Sequence, residues 1–298
     1  MNAAMRPRDI LLALLVVSIL GVSFVAIKFG LQVTSPFALC AWRFFLAAVP
    51  LVFFVPRPDV PWRVLFGYGF MIGVVQFGLL FFALSTGMPA GLSSLVIQAQ
   101  VFFTMGLSVL WLGERIGPAQ LAGAALAMGG LIIIGWAKVS SGLGLGFAMV
   151  LGAALAWALG NIIAKRAGRV DLLGFIAWSS LAAPIPLALL SLAFEGPTAL
   201  FEPLLHPTFA AWASILTLAY GATVFGFGMW SKLLVRYGAA VVAPFALLIP
   251  VAGMASTALV FGERLTKAQA VGALLVILGL TFTVLGPKLI TILRNRSR

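Results

Sequence analysis

The chain has 298 residues, 62% of them hydrophobic and only 9% charged, with nineteen Lys and Arg against seven Asp and Glu. A soluble domain carries about 25% charged residues, so there is too little polar surface to cover a water-soluble globule, and a mean hydropathy of +1.16 points to lipid as the solvent. The single cysteine, Cys40, excludes an intramolecular disulfide and a cysteine-cluster metal site, and the net charge of +12 is scattered between apolar runs and through the tail, a membrane pattern rather than a nucleic-acid one.

Apolar runs of spanning length follow one another at 10–29, 36–55, 64–84, 91–112, 117–136, 143–164, 172–194, 208–231, 239–261 and 267–287. A bilayer core needs roughly 20 residues of helix, so these runs predict ten spans and leave no room for a soluble domain. The first run follows Arg6 and Arg8 as a signal peptide would, but it is too long for one and leads into a second span after a short loop; it reads as a retained helix. Short linkers carry turn signals, such as Val55-Pro-Arg-Pro-Asp59 and Gly87-Met-Pro89, and the longest gap runs from Glu195 to His206. With the N-terminus inside, fourteen Lys and Arg fall in inner segments and four (Lys28, Lys138, Arg264, Lys267) in outer ones, with Arg43 inside a helix. This bias predicts both termini in the cytoplasm, which an even span number allows.

The halves repeat. Gly113-Glu114-Arg115, Ala119-Gln120, Gly123 and Gly130 recur 149 residues later as Gly262-Glu263-Arg264, Ala268-Gln269, Gly272 and Gly279. Ala41-Trp42 and Pro50 return as Ala177-Trp178 and Pro186, Lys28 as Lys165, and Tyr68-Gly69 as Tyr220-Gly221. The predicted units are 1–137 (helices 1–5) and 142–287 (helices 6–10), with 288–298 a basic cytoplasmic tail. Five is an odd number, so the second half inserts in the opposite sense. Inverted repeats are a structural basis of alternating access about a shared midplane site. The expected fold class is therefore an all-α polytopic membrane protein of ten transmembrane helices in two inverted five-helix repeats.

Two halves, each ending in a Gly-Glu-Arg loop followed by an Ala-Gln helix, resemble the EamA-type branch of the drug/metabolite transporter superfamily over nearly the whole chain. The stretches Asp9 to Lys28, Met88-Pro-Ala-Gly-Leu-Ser-Ser-Leu-Val-Ile-Gln-Ala-Gln100, Trp157 to Lys165 and Arg236 to Pro250 are similar to the O-acetylserine/cysteine exporters within it. Broad-range amino-acid exporters are related. The resemblance implies ten helices, inverted halves and export of small amino acids or derivatives across the inner membrane.

Polar groups inside a span need an internal partner or an aqueous cavity. Gln76, Gln98 and Ser94 are candidate substrate ligands, because amides and hydroxyls both donate and accept; hydrogen bonding between helices is their structural alternative. Gln100 lies two residues from Gln98 and is not expected to face the same cavity. Trp157, Asn161 and Lys165 form one stripe on the sixth helix, mirrored by Phe24 and Lys28 on the first, with Ser18 and Gly21 deeper. The two lysines are expected at opposite ends, as entrances that attract a carboxylate or as snorkelling residues. Arg43, about two turns into the second helix, reads as a gate or structural group rather than a substrate contact. Trp42 and Trp178 are read at entrances, Tyr220 at the substrate, and all three also suit interface anchors. Pro244 and Pro250 are expected to bend the ninth helix beside a straighter fourth.

No Gly-x-x-x-x-Gly-Lys-Ser/Thr loop occurs, so ATP is not the expected driver. None of the seven acids is central in a span, which argues against a proton relay, and the one histidine, His206, lies in the long loop, so no catalytic triad or zinc cluster is expected. The reading is a monomeric exporter without cofactor or metal that uses a small-molecule substrate and a lipid bilayer. A broad-specificity amino-acid (including aromatic) or drug exporter is the alternative; from another class, it is a membrane enzyme or lipid-handling protein.

Overall fold

The computed structural model describes residues 5–113, 116–168, 170–237 and 239–296. Every regular element among them is helical. Eight long apolar helices come first: α1 (Pro7–Gly30), α2 (Pro36–Phe53), α3 (Trp62–Ser85), α4 (Ala90–Leu112), α5 (Pro118–Ser140), α6 (Gly144–Lys165), α7 (Leu173–Phe194) and α8 (Phe209–Trp230). The ninth region divides at Leu247 into α9a (Ala239–Ala246) and α9b (Leu248–Phe261). A last helix, α10, spans Lys267–Gly286 and continues to Arg296, past the start of the expected tail. Counting the divided ninth as one crossing, the protein is a ten-span membrane protein of two inverted halves.

The repeated signature is a helix stop followed by a helix start. Gly113 ends α4 at φ 66° and ψ 20°, and Gly262 ends α9b at φ 65° and ψ 22°. These left-handed values suit a residue without Cβ. In the following helix the Gln120 carbonyl oxygen accepts the Gly117 N–H at 2.9 Å, and that of Gln269 accepts the Thr266 N–H at 3.1 Å. Each glutamine thus satisfies a backbone donor left over at a helix N-terminus. Glu114 and Arg115 lie outside the described residues.

Packing obeys the same two-fold relation. α1 lies against α8 and α9b, while α6 lies against α3 and α4; α2 meets α7, and α5 meets α10. The α5–α10 seam rests on the four repeated glycines. A Cβ on Gly123 would stand 2.6 Å from the Gly279 carbonyl oxygen, and one on Gly130 2.5 Å from that of Gly272. Only glycine lets two membrane helices approach so closely there. The repeated tryptophans are reciprocal: Trp42 Nε1 donates to the Leu200 carbonyl at 2.8 Å and Trp178 Nε1 to the Val55 carbonyl at 3.0 Å, so each ties its helix to the loop after its counterpart.

Four helices depart from regular α geometry in corresponding places. α3 widens to π turns over Phe70–Gln76, and α8 over Thr217–Phe227. α4 tightens to a 3-10 turn at Ile97–Ala99, level in the repeat with the break of α9 at Leu247. Beside the expectation of a bent ninth helix and a straighter fourth, α4 also departs from regular α geometry, with no proline in the turn. The halves are more alike than the prolines alone suggest.

Candidate functional site

The four irregular segments meet at a central chamber with an internal volume of about 50 Å³, room for a few waters. Its wall takes Ser23 and Phe24 from α1, Arg43 from α2, Gln76 and Phe77 from α3, Gln98 from α4, Trp157 from α6, Phe227 from α8 and Ile249 from α9b. Gln76, Gln98 and Trp157, candidates from the sequence, are brought together. So is Arg43, which was expected at a gate.

Arg43 is 2% exposed. Its Nε donates to Thr223 Oγ1 at 3.1 Å, and its guanidinium carbon lies 3.9 Å from the centre of the Phe77 ring. Thr223 in turn donates to the Leu218 carbonyl, five residues back, at 2.9 Å, so its hydroxyl fills the widened turn of α8 while receiving the arginine. Gln76 is buried and its side-chain oxygen has no hydrogen-bond partner among the described residues. An orphaned buried acceptor is costly unless something brings a donor to it.

Gln98 donates to the Ala246 carbonyl across the bundle at 3.4 Å. The donor due to that carbonyl in a continuous helix belongs to residue 250, which is proline and has no N–H. A side chain of one half therefore covers a carbonyl freed by a proline of the other. The side chain of Pro244 lies outside the described residues.

The remaining candidates sit elsewhere. Asn161 Nδ2 donates to Gln100 Oε1 at 3.0 Å and Thr104 Oγ1 at 3.2 Å, joining α6 to α4 away from the chamber wall. Ser94 bonds the Gly91 carbonyl at 2.6 Å and lies against the backbone of Gly253. Tyr220 is 40% exposed and does not line the chamber. Trp42 and Trp178 tie helices to loops as described above. Lys165 Nζ donates to Ser108 Oγ at 3.0 Å. Lys28 meets a carboxylate of its own chain, with Nζ 2.6 Å from Glu263 Oε1.

At each face of the bundle an acid paired with a cation ties helices together. On the face carrying Glu263, that carboxylate accepts the backbone N–H groups of Ala90 and Gly91 at 3.1 and 2.9 Å as well as the Lys28 ammonium. It caps α4 and ties it to α1. Burial pushes the Glu263 carboxyl up, but the hydrogen bond and charge of Lys28 and the two backbone donors outweigh it, and the group titrates below the usual glutamate range. On the opposite face, Asp9 of α1 accepts the Tyr237 hydroxyl and lies 3.4 Å from Arg236 Nη1. Sequence reasoning passed over Thr223 and the Asp9 cluster. Thr223 carries the signal used for the glutamines, a polar group inside a span; Asp9 sits among the arginines of a span end and offers no such signal.

Comparison with known proteins accords with this architecture. The EamA-like transporter family matches residues 8–136 and 144–285, one match per half. A protein of Escherichia coli (strain K12) named "Probable amino-acid metabolite efflux pump" is 43% identical over 95% of this chain and 96% of its own length. A protein of the same name from Salmonella typhimurium is also 43% identical, over 95% and 96%. A solved crystal structure at 22% identity covers 94% of this chain and 98% of its own, with a TM-score of 0.65, and shares the fold. The chain belongs to the EamA-like transporter family.

Proposed function

We propose that this EamA-like transporter exports small amino acids or their derivatives, of the cysteine and O-acetylserine kind, across the bacterial inner membrane by alternating access through the central chamber. The observation that carries this reading is the chamber itself: the amides of Gln76 and Gln98 at the irregular segments of α3 and α4, with the guanidinium of Arg43 received by Thr223 in the widened turn of α8 from the other half. Irregular backbone at membrane depth is tolerated where it lines a cavity, and inverted halves place such a site where either side can reach it. The name borne by the two bacterial relatives supports amino-acid metabolites as cargo. The narrow chamber favours small cargo. The Lys and Arg distribution supports a cytoplasmic Asp9 face and an outer Glu263 face.

Coupling is by facilitated diffusion or exchange. The sequence has no phosphate loop, and no acid among the described residues lines the chamber. Its place is taken by fixed donors and acceptors that bind without changing charge.

Purified protein in liposomes loaded with labelled L-cysteine or O-acetyl-L-serine tests the reading. Release faster than from protein-free liposomes is expected, and equal rates for every amino acid tried defeat it. A pH gradient that drives uphill movement contradicts the coupling. Gln98→Ala is expected to lower flux at unchanged membrane insertion; unchanged flux removes Gln98 from the site. The broader reading, an exporter that also takes aromatic amino acids, is favoured by the walls of Phe24, Phe77, Trp157 and Phe227. Parallel release of tryptophan distinguishes it.

A further inference from the structure

We infer that Arg43 is the anchor for a free carboxylate on the cargo, and so decides which derivatives the protein accepts. The inference rests on the transport reading and names the chemical class that the chamber takes. A guanidinium stays charged at every physiological pH and presents its donors in a planar fork that matches a carboxylate. A buried charge needs a counter-charge or a full set of hydrogen bonds. Arg43 has neither among the described residues. The only hydrogen bond it makes among the described residues is from Nε to Thr223. The ion pairs among the described residues, Lys28 with Glu263 and Arg236 with Asp9, lie at the two faces and involve other cations.

The side chain is nonetheless firmly placed. Thr223 holds the Nε edge, and the ring of Phe77 lies beneath the guanidinium plane, with Phe44 5.3 Å away. These contacts use one edge and one face, which leaves both Nη groups for an anion in the chamber. The aromatic neighbours ease desolvation but supply no counter-charge.

Gln76 makes this a two-point site. It lines the same chamber, is 2% exposed, and keeps a buried oxygen without a donor. A carboxylate on Arg43 and an ammonium on Gln76 satisfy the two unpaired groups together, and the pair of demands describes an α-amino acid. Cargo without the free carboxylate leaves the guanidinium uncompensated.

Two measurements test this. In the first, unlabelled L-cysteine, L-cysteinamide and cysteamine compete with labelled L-cysteine in liposome counterflow. Cysteine is expected to compete about tenfold or more better than the two analogues lacking a carboxylate; equal competition by all three overturns the inference while leaving amino-acid export intact. In the second, the thermal midpoint of the detergent-purified protein is followed with the same three compounds, which reads binding without flux. Stabilisation by cysteine alone supports the anchor even if transport fails. Arg43→Gln is expected to abolish the preference for cysteine over cysteamine, and Arg43→Lys, which keeps the charge and loses the fork, to retain part of it. An Arg43→Gln protein that keeps the full preference assigns Arg43 to packing. Should that variant fail to insert, the wild-type competition series still decides.

Discussion

Each face of the bundle carries an acid paired with a cation, Glu263 at one and Asp9 at the other, and the two are held differently. Glu263 is gripped by two backbone N–H groups at the start of α4 and by the Lys28 ammonium. Asp9 is held by the side chains of Tyr237 and Arg236. A side-chain partner leaves by changing rotamer, whereas a backbone donor leaves only with its helix. The Glu263 cluster also joins α1, α4 and the end of α9b, while the Asp9 cluster joins α1 to the helix Gly228–Tyr237 that continues α8. The contrast teaches that one sequence repeat can carry two unlike clusters: among the described residues the Asp9 carboxylate is held by side chains alone, and the Glu263 carboxylate also by the backbone at the start of α4.

The sharpest way to break this comparison is to remove each acid. Glu263→Ala removes a helix cap and strands Lys28, which is one-third exposed. It is expected to cost about 2 kcal/mol, read as a lowered thermal midpoint in detergent. Asp9→Asn keeps a side chain able to accept from Tyr237, so its shift is expected to be smaller; a larger shift than that of Glu263→Ala reverses the ranking of the faces.

Acid titration separates the clusters in a second way. Glu263 binds protons less readily in the folded protein than when unfolded, so its contribution is complete above the ordinary glutamate value of about 4.3 and is lost as pH falls through its lower folded value. The stability advantage of wild type over Glu263→Gln is therefore expected to be flat from neutral pH down to that range and to vanish only below it. An advantage that fades already between pH 7 and 5 contradicts the arrangement.

The reciprocal tryptophans provide the symmetric control. Trp42→Phe and Trp178→Phe each remove one neutral hydrogen bond and are expected to cost about 1 kcal/mol apiece, equal within error. Unequal costs show that the two-fold relation is geometric but not energetic. The smallest effect concerns the broken helices. Gln98→Ala is expected to destabilise by about 0.5 kcal/mol, given the long 3.4 Å bond to Ala246, and by less when Pro250→Ala restores the missing N–H. A double-mutant cycle without coupling breaks the link between Gln98 and the proline.

Much of the fold was legible because lipid demands long apolar runs and the two halves share motifs. Gly113, Gln120 and their counterparts were recognisable as a repeat, and the structure supplies their physical task as helix stops and starts. At the chamber, Gln76, Gln98 and Trp157 stood out as polar or amphipathic groups at mid-span. Other placements were hidden. Helical periodicity assigns residues to a face, but in a membrane bundle the lipid face and the packed face are both apolar, so it does not say which face meets a cavity. Asn161 shares a stripe with Trp157 yet turns to Gln100 and Thr104 of α4. Arg43 reached the chamber through its long side chain and a receiving hydroxyl on α8. The 3-10 turn of α4 has no proline or glycine within Ile97–Ala99 to announce it.

The carbonyl of Ala246 and its partner Gln98 bear on how the chain is made. Synthesis runs from the N-terminus, so Gln98, Lys28 and Trp42 enter the bilayer before Ala246, Glu263 and Leu200 exist. A polypeptide halted after α5 carries an amide, an ammonium and an indole N–H deprived of the acceptors they meet in the finished protein. An unpartnered amide at mid-span, as of Gln98, is expensive in hydrocarbon, so the nascent first half is an unfinished product, and the arrival of the ninth span and the loop after it completes it.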